Sequence, residues 1–204
     1  YSLAEVINKS ALNIKKGDYN NGYVAYYALT VHQDDSSRIV NTDGLVTLVA
    51  DDGQNYCLGY DGTNTEIVIP ENCNVNQYAF YENTNLKEVT ISDGATSIGK
   101  YAFCGCTSIT SVTIPESVTK IGESAFWGCE NLKLITIPEG VTSIGNGAFS
   151  YCTSLTSVVI PEGVTKIGES AFCGCSSLTS VVINGKIKKI EYCTFEDCDA
   201  LESI

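Results

Sequence analysis

The chain has 204 residues, enough for one or two ordinary domains, and its 24 acidic against 12 basic residues leave a net charge of −12. Such a surface repels phosphate backbones and anionic lipid, which argues against nucleic-acid binding and electrostatic membrane docking. No apolar run reaches the roughly 18 residues of a spanning helix, so membrane insertion is not expected. The first residue is Tyr1 and there is no Met, so the numbering is expected to start after a removed segment, either a signal peptide or the cut of a longer chain.

Ser2-Leu3-Ala4-Glu5 is a capping box, followed by apolar Leu3, Ile7, Ala11 and Ile14 with Gly17 just beyond. This pattern predicts a short amphipathic helix over about residues 3–15. Gly17 to Gly22 is turn chemistry, and Asp18, Asn20 and Asn21 lack the ligand spacing of a calcium loop, so a solvated turn is expected there. Residues 23–31, rich in β-formers, predict a strand, and a polar loop follows over residues 33–38. Residues 45–49 and 56–60 flank Asp52-Gly53 and predict a β-hairpin. Asp61-Gly62 leads into Glu66-Ile67-Val68-Ile69-Pro70. Residues 1–65 are accordingly read as a helix-and-hairpin cap, because an open sheet needs its edge covered.

From there to the end the chain repeats. Phe80, Phe103, Phe126, Phe149, Phe172 and Phe195 keep a step of 23 residues. Leucine-type residues follow it at Leu86, Ile109, Leu132, Leu155, Leu178 and Leu201, and isoleucines at Ile98, Ile121, Ile144, Ile167 and Ile190. A fixed period of this size means one supersecondary unit stacked on copies of itself. In the unit starting at Leu155, Val158 and Ile160 face inward on a strand that Pro161 ends, Val164 and Ile167 return on the opposite wall, and Gly168 allows a tight bend. Ala171-Phe172 is expected in a short helical or 3₁₀ turn. One such unit buries too little apolar surface to offset the ordering of its own backbone, so stacking must supply the rest.

Cys106, Cys129, Cys152, Cys175 and Cys198 share the period. Neighbouring rungs at about 4.8 Å could not all pair, and a buried free Cys suits an interior corner. These five are expected as reduced, buried thiols. Cys104 and Cys173 lie three units apart, and no metal site is expected because the only His is His32. Cys57 and Cys73 are the pair for which a bridge is open.

The units beginning at Ile109, Leu132 and Leu155 spell LxxVxIPxxVxxIGxxAFxxC almost letter for letter. The pattern resembles the BspA-type leucine-rich repeats, over residues 66–204 in about six units. The first unit departs from it by one missing residue and by Asn83 in the ladder position; the last has Asn184 for Pro, Glu191 for Gly and Thr194 for Ala. The resemblance implies an α/β-type but β-dominated, right-handed leucine-rich-repeat solenoid with a parallel sheet on its concave face. It also implies a secreted or cell-surface protein of bacteria or mucosal protists. Adhesion to host matrix proteins or other microbes would be its activity; no ligand-contact motif comes with the resemblance.

No catalytic constellation is present: His32 stands without a motif, and no glycine run forms a nucleotide loop. A non-enzymatic protein without cofactor or metal is expected, either a binding module or, as the alternative, a structural spacer presenting another domain. The carboxylates Glu116, Glu139 and Glu162 form a column expected to be a solvated rim beside Lys120 and Lys166. The strand positions that leave the core are Glu88, Ser111, Leu134, Ser157 and Ser180 in one column and Thr90, Thr113, Thr136, Val159 and Val182 in the next. One charge in ten positions makes this face stiff and easily desolvated, since Ser, Thr and Val lose little rotamer freedom. Trp127 is a further candidate anchor. The strand Leu201–Ile204 stops without a following segment, so either the natural protein continues or two copies meet at that edge.

Overall fold

The computed structural model describes residues 38–49 and 53–204. The expected helix over 3–15, the strand over 23–31, the turn at Asp18 to Asn21 and His32 lie outside the described residues. The first described element is an antiparallel hairpin, Arg38–Thr42 (β1) against Leu45–Val49 (β2). Its turn, Asp43-Gly44, has φ of 51° and 89°, the two left-handed residues that match the twist of a tight hairpin. β2 also pairs antiparallel with Asn55–Tyr60 (β3), across a bulge between Val46 and Thr47, which is the hairpin the sequence predicts.

Beyond β3 every strand pairing is parallel. Glu66–Ile69 (β4) opens a first wall and Cys73–Val75 (β5) a second. The first wall continues through Glu88–Ile91 (β6) and Ser111–Thr113 (β8), then resumes at Ser157–Ile160 (β11) and Ser180–Ile183 (β13). The second continues through Ser97–Ile98 (β7), Lys120–Ile121 (β9), Ser143–Ile144 (β10) and Lys166–Ile167 (β12). This second wall is the long sheet, in the order β1-β2-β3-β5-β7-β9-β10-β12. The hairpin therefore covers the edge of the second wall, not of the first.

The Ala-Phe segments close each turn as a third wall, and here the expected α/β character is corrected: the described residues contain no helix. Their amides are used between turns. Tyr101 N donates to Glu123 O (2.9 Å), Phe103 N to Ala125 O (2.7 Å) and Gly105 N to Trp127 O (2.8 Å). This every-second-residue ladder is held without strand geometry because left-handed residues recur on both sides of the Phe. One column is Tyr78, Tyr101, Ser124, Gly147, Ser170 and Cys193; the other is Glu82, Gly105, Gly128, Tyr151, Gly174 and Asp197. A right-handed helical turn cannot pass through either.

The core lies between the three walls. Successive phenylalanine rings stack with centroids 4.9–5.6 Å apart and planes within 10°. Beside them the ladder thiols bond backwards: Cys106 Sγ donates to Phe80 O (2.9 Å), Cys129 to Phe103 O (3.2 Å), Cys152 to Phe126 O (3.2 Å) and Cys175 to Phe149 O (3.1 Å). Each thiol thus adds a second donor to a buried carbonyl that already accepts a backbone amide. All ten cysteines are free, Cys57 and Cys73 included, and Cys198 at the last turn is only partly buried. Burial pushes the Cys129 and Cys152 thiols well up and Cys175 to about 12.

Gly122 is needed for a reason other than a bend: a Cβ there would stand 2.7 Å from the Gly99 carbonyl carbon and the Lys100 nitrogen of the preceding turn. Gly99, Gly145 and Gly168 meet the same obstruction. The last unit carries Glu191 in this column, and its Ile190 is 45% exposed where Ile121, Ile144 and Ile167 are buried. Ile190 therefore does not turn inward as the period suggests: a side chain at Glu191 prevents the close approach that seats the others. Thr194, in the alanine column, stays buried by donating its hydroxyl to Glu191 O (2.8 Å).

Candidate protein-binding face

The first wall turns alternate side chains outward because its strands have period two. Strand register aligns Glu66, Glu88 and Ser111 in one row and Val68, Thr90 and Thr113 in the next. Past the break, Ser157 meets Ser180, and Val159 meets Val182. Glu88, Thr90, Ser111, Thr113, Leu134, Thr136, Val159 and Val182 are exposed, whereas Ser157 and Ser180 are half-buried. Val68 belongs to the same row and is 64% exposed. The columns counted at 23 residues miss it, because the first unit is a residue short and Val68 aligns with Thr90; the alternation of Glu66-Ile67-Val68-Ile69 was the signal that could have found it.

The wall is interrupted at one turn. Thr110, Thr156 and Thr179 each donate their hydroxyl to the carbonyl one turn earlier, at Lys87, Lys133 and Thr156. Lys133 occupies that column in the intervening turn, but so does Lys87 in the turn of β6, which pairs along its whole length with β4, so the hydroxyl does not decide the break. Residues 134–137 form no strand there, and a single bridge, Leu134 to Ser157, links them onward. The break leaves a shallow hollow of about 340 Å³ lined by Leu134, Thr136, Ser157, Val159 and Glu139. Leu134 is 64% and Val159 52% exposed at its sides.

Trp127 is elsewhere. It is 42% exposed on the third wall, edge-on to Tyr151 with ring centroids 5.5 Å apart, so the structure does not bring it together with the strand-face residues. The carboxylate rim is exposed at Glu116, Glu139 and Glu162 as expected, but its partners differ. Glu162 pairs with Lys186 (3.5 Å) in place of Lys166, and a Glu116 oxygen accepts the Glu139 amide (3.0 Å). Among the described residues no group of three or more His, Cys, Asp and Glu could hold a metal ion, and no helix is long and apolar enough to cross a membrane.

A repeating three-walled coil with this signature is a known class. The BspA type leucine rich repeat region matches residues 55–202 in six copies, and the chain belongs to that family. A leucine-rich repeat protein of T. pallidum is similar in structure at 29% identity and TM-score 0.76, over 80% of each chain. One from Bacteroides ovatus is 27% identical with TM-score 0.65, over 85% of this chain and 52% of its own. A leucine-rich cell surface protein of Faecalibacterium prausnitzii is 27% identical with TM-score 0.51, over 74% of this chain and 56% of its own. No significant match was found among curated protein sequences.

Proposed function

We propose that the chain is a non-catalytic protein-binding module of a secreted or cell-surface protein, docking its partner on the first wall. The observation that carries this is the set of exposed apolar side chains on two neighbouring rows, Val68, Val159 and Val182 in one and Leu134 in the other, on a face otherwise made of Ser and Thr with Glu66 and Glu88 at one end. A β-branched side chain on a strand has little rotamer freedom to lose on binding. The hollow beside Leu134 gives a partner side chain a place to insert. In this reading residues 1–65 cap the coil, residues 66–204 form the stacked body, and the partner is a host matrix protein or a surface protein of another microbe. The likeness to a cell surface protein supports that location.

Binding of the chain to immobilised matrix proteins, measured by surface plasmon resonance, tests the proposal. The double variant Ser157→Arg/Val159→Arg should lose the interaction while its melting temperature stays within a few degrees, because both side chains leave the core. Unchanged affinity in the variant would exclude this face.

A further inference from the structure

On the third wall, three consecutive turns build a second depression, of about 330 Å³. It exists because the repeat is broken in two adjacent columns. Gly147 stands where the neighbouring turns carry Ser124 and Ser170, so no side chain fills the centre. Tyr151 stands in a left-handed conformation, φ 57°, where Gly105, Gly128 and Gly174 occupy the same place in other turns. Its ring lies over Gly174, where a Cβ would come within 2.7 Å of it. A half-exposed aromatic held at a position that favours glycine costs stability, and the Tyr151 ring packs edge-on against Trp127. The two rings meet at 67° and make an aromatic corner open to solvent.

The rim is polar and mixed in character. Glu123, Asn146 and Glu169 lie one above another on the three turns. Lys100 is paired with Glu123 at 2.7 Å, and the Asn146 Oδ1 accepts the Glu169 amide at 3.1 Å, which leaves the Asn146 amide nitrogen to donate. Ring faces suit the C–H face of a pyranose, and carboxylates with a neighbouring amide suit its hydroxyls. A bare cation would instead want both carboxylates unpaired, whereas Glu123 is already held by Lys100.

We infer that the Trp127–Tyr151 corner is a glycan-binding subsite that takes one hexopyranose ring, on a wall separate from the protein-binding face. Trp127 is the only tryptophan in the chain, so its fluorescence reports on this site alone. The test titrates the protein with D-glucose, D-galactose and N-acetyl-D-glucosamine into the millimolar range, in parallel with tetramethylammonium chloride. A saturable shift of Trp127 emission with at least one sugar is expected. Two variants should weaken it by about tenfold or more: Tyr151→Gly, which removes half of the corner, and Gly147→Ser, which fills the hollow. Each new residue already occupies its column in another turn, so both should fold. No response to any sugar, unchanged affinity in both variants, or a response to tetramethylammonium alone would overturn the inference.

Discussion

Replacing Phe126 by alanine should destabilise the coil far more than replacing Phe195, though the two hold the same column. Phe126 is fully buried, with Phe103 at 5.2 Å and Phe149 at 5.3 Å on either side. Phe195 is partly buried and has one neighbour, Phe172, at 5.6 Å. Loss of a buried Phe with its cavity costs about 3–5 kcal/mol, which includes two ring contacts of roughly 0.5–1.5 kcal/mol each beyond area. The partly buried terminal ring, with a single contact and freedom to relax, should cost about 1–2 kcal/mol. Because a solenoid is held by nearest-neighbour interfaces, the central variant should also split the urea transition into two phases, followed by circular dichroism. Equal losses at the two positions, or a larger loss at Phe195, would refute the stacked-ring account.

Gly122→Ala should cost about 1–3 kcal/mol in chemical denaturation, since the methyl meets backbone that cannot rotate away. Ser124→Gly should stabilise by roughly 0.5–1 kcal/mol, because the left-handed penalty it relieves exceeds the added chain entropy. The buried thiols make stability fall in alkali. Desolvation raises them in the folded state, so the unfolded chain releases protons first; stability is full below about pH 8.5 and is lost as pH rises towards about 12. Urea titrations at successive pH values should show that fall, and Cys152→Ala should make it shallower. Thiol reagents at pH 8 should leave Cys129 and Cys152 unmodified until denaturant is added.

The inward columns were legible because stacking repeats each core contact at one step; Phe103, Leu132 and Ile144 could be placed from spacing alone. The third wall was not. Tyr78, Tyr101 and Ser124 carry no sign of a left-handed backbone, and an Ala-Phe pair reads as helix when its neighbours in space are unknown. β1 and its Asp43-Gly44 turn went unread, because the apolar run before the turn, Ile39-Val40, is too short to mark a strand unaided. The outward columns of the proposed binding face followed from alternation, whereas the break at Leu134 has no local signal: Lys133 shares its column with Lys87, whose turn keeps its strand. Trp127 was singled out for its residue type; its partner Tyr151 became visible only through the conformation that the rest of its column gives to glycine.

Hydroxyl-radical footprinting of the chain, free and bound to a matrix protein it captures, tests the binding face most directly. Oxidation of each side chain would be read by mass spectrometry. Protection is expected at Leu134, Val159 and Val182, with Trp127 and Tyr151 oxidised as in the free protein. Protection of Trp127 and Tyr151 with Leu134 and Val159 unchanged would contradict it.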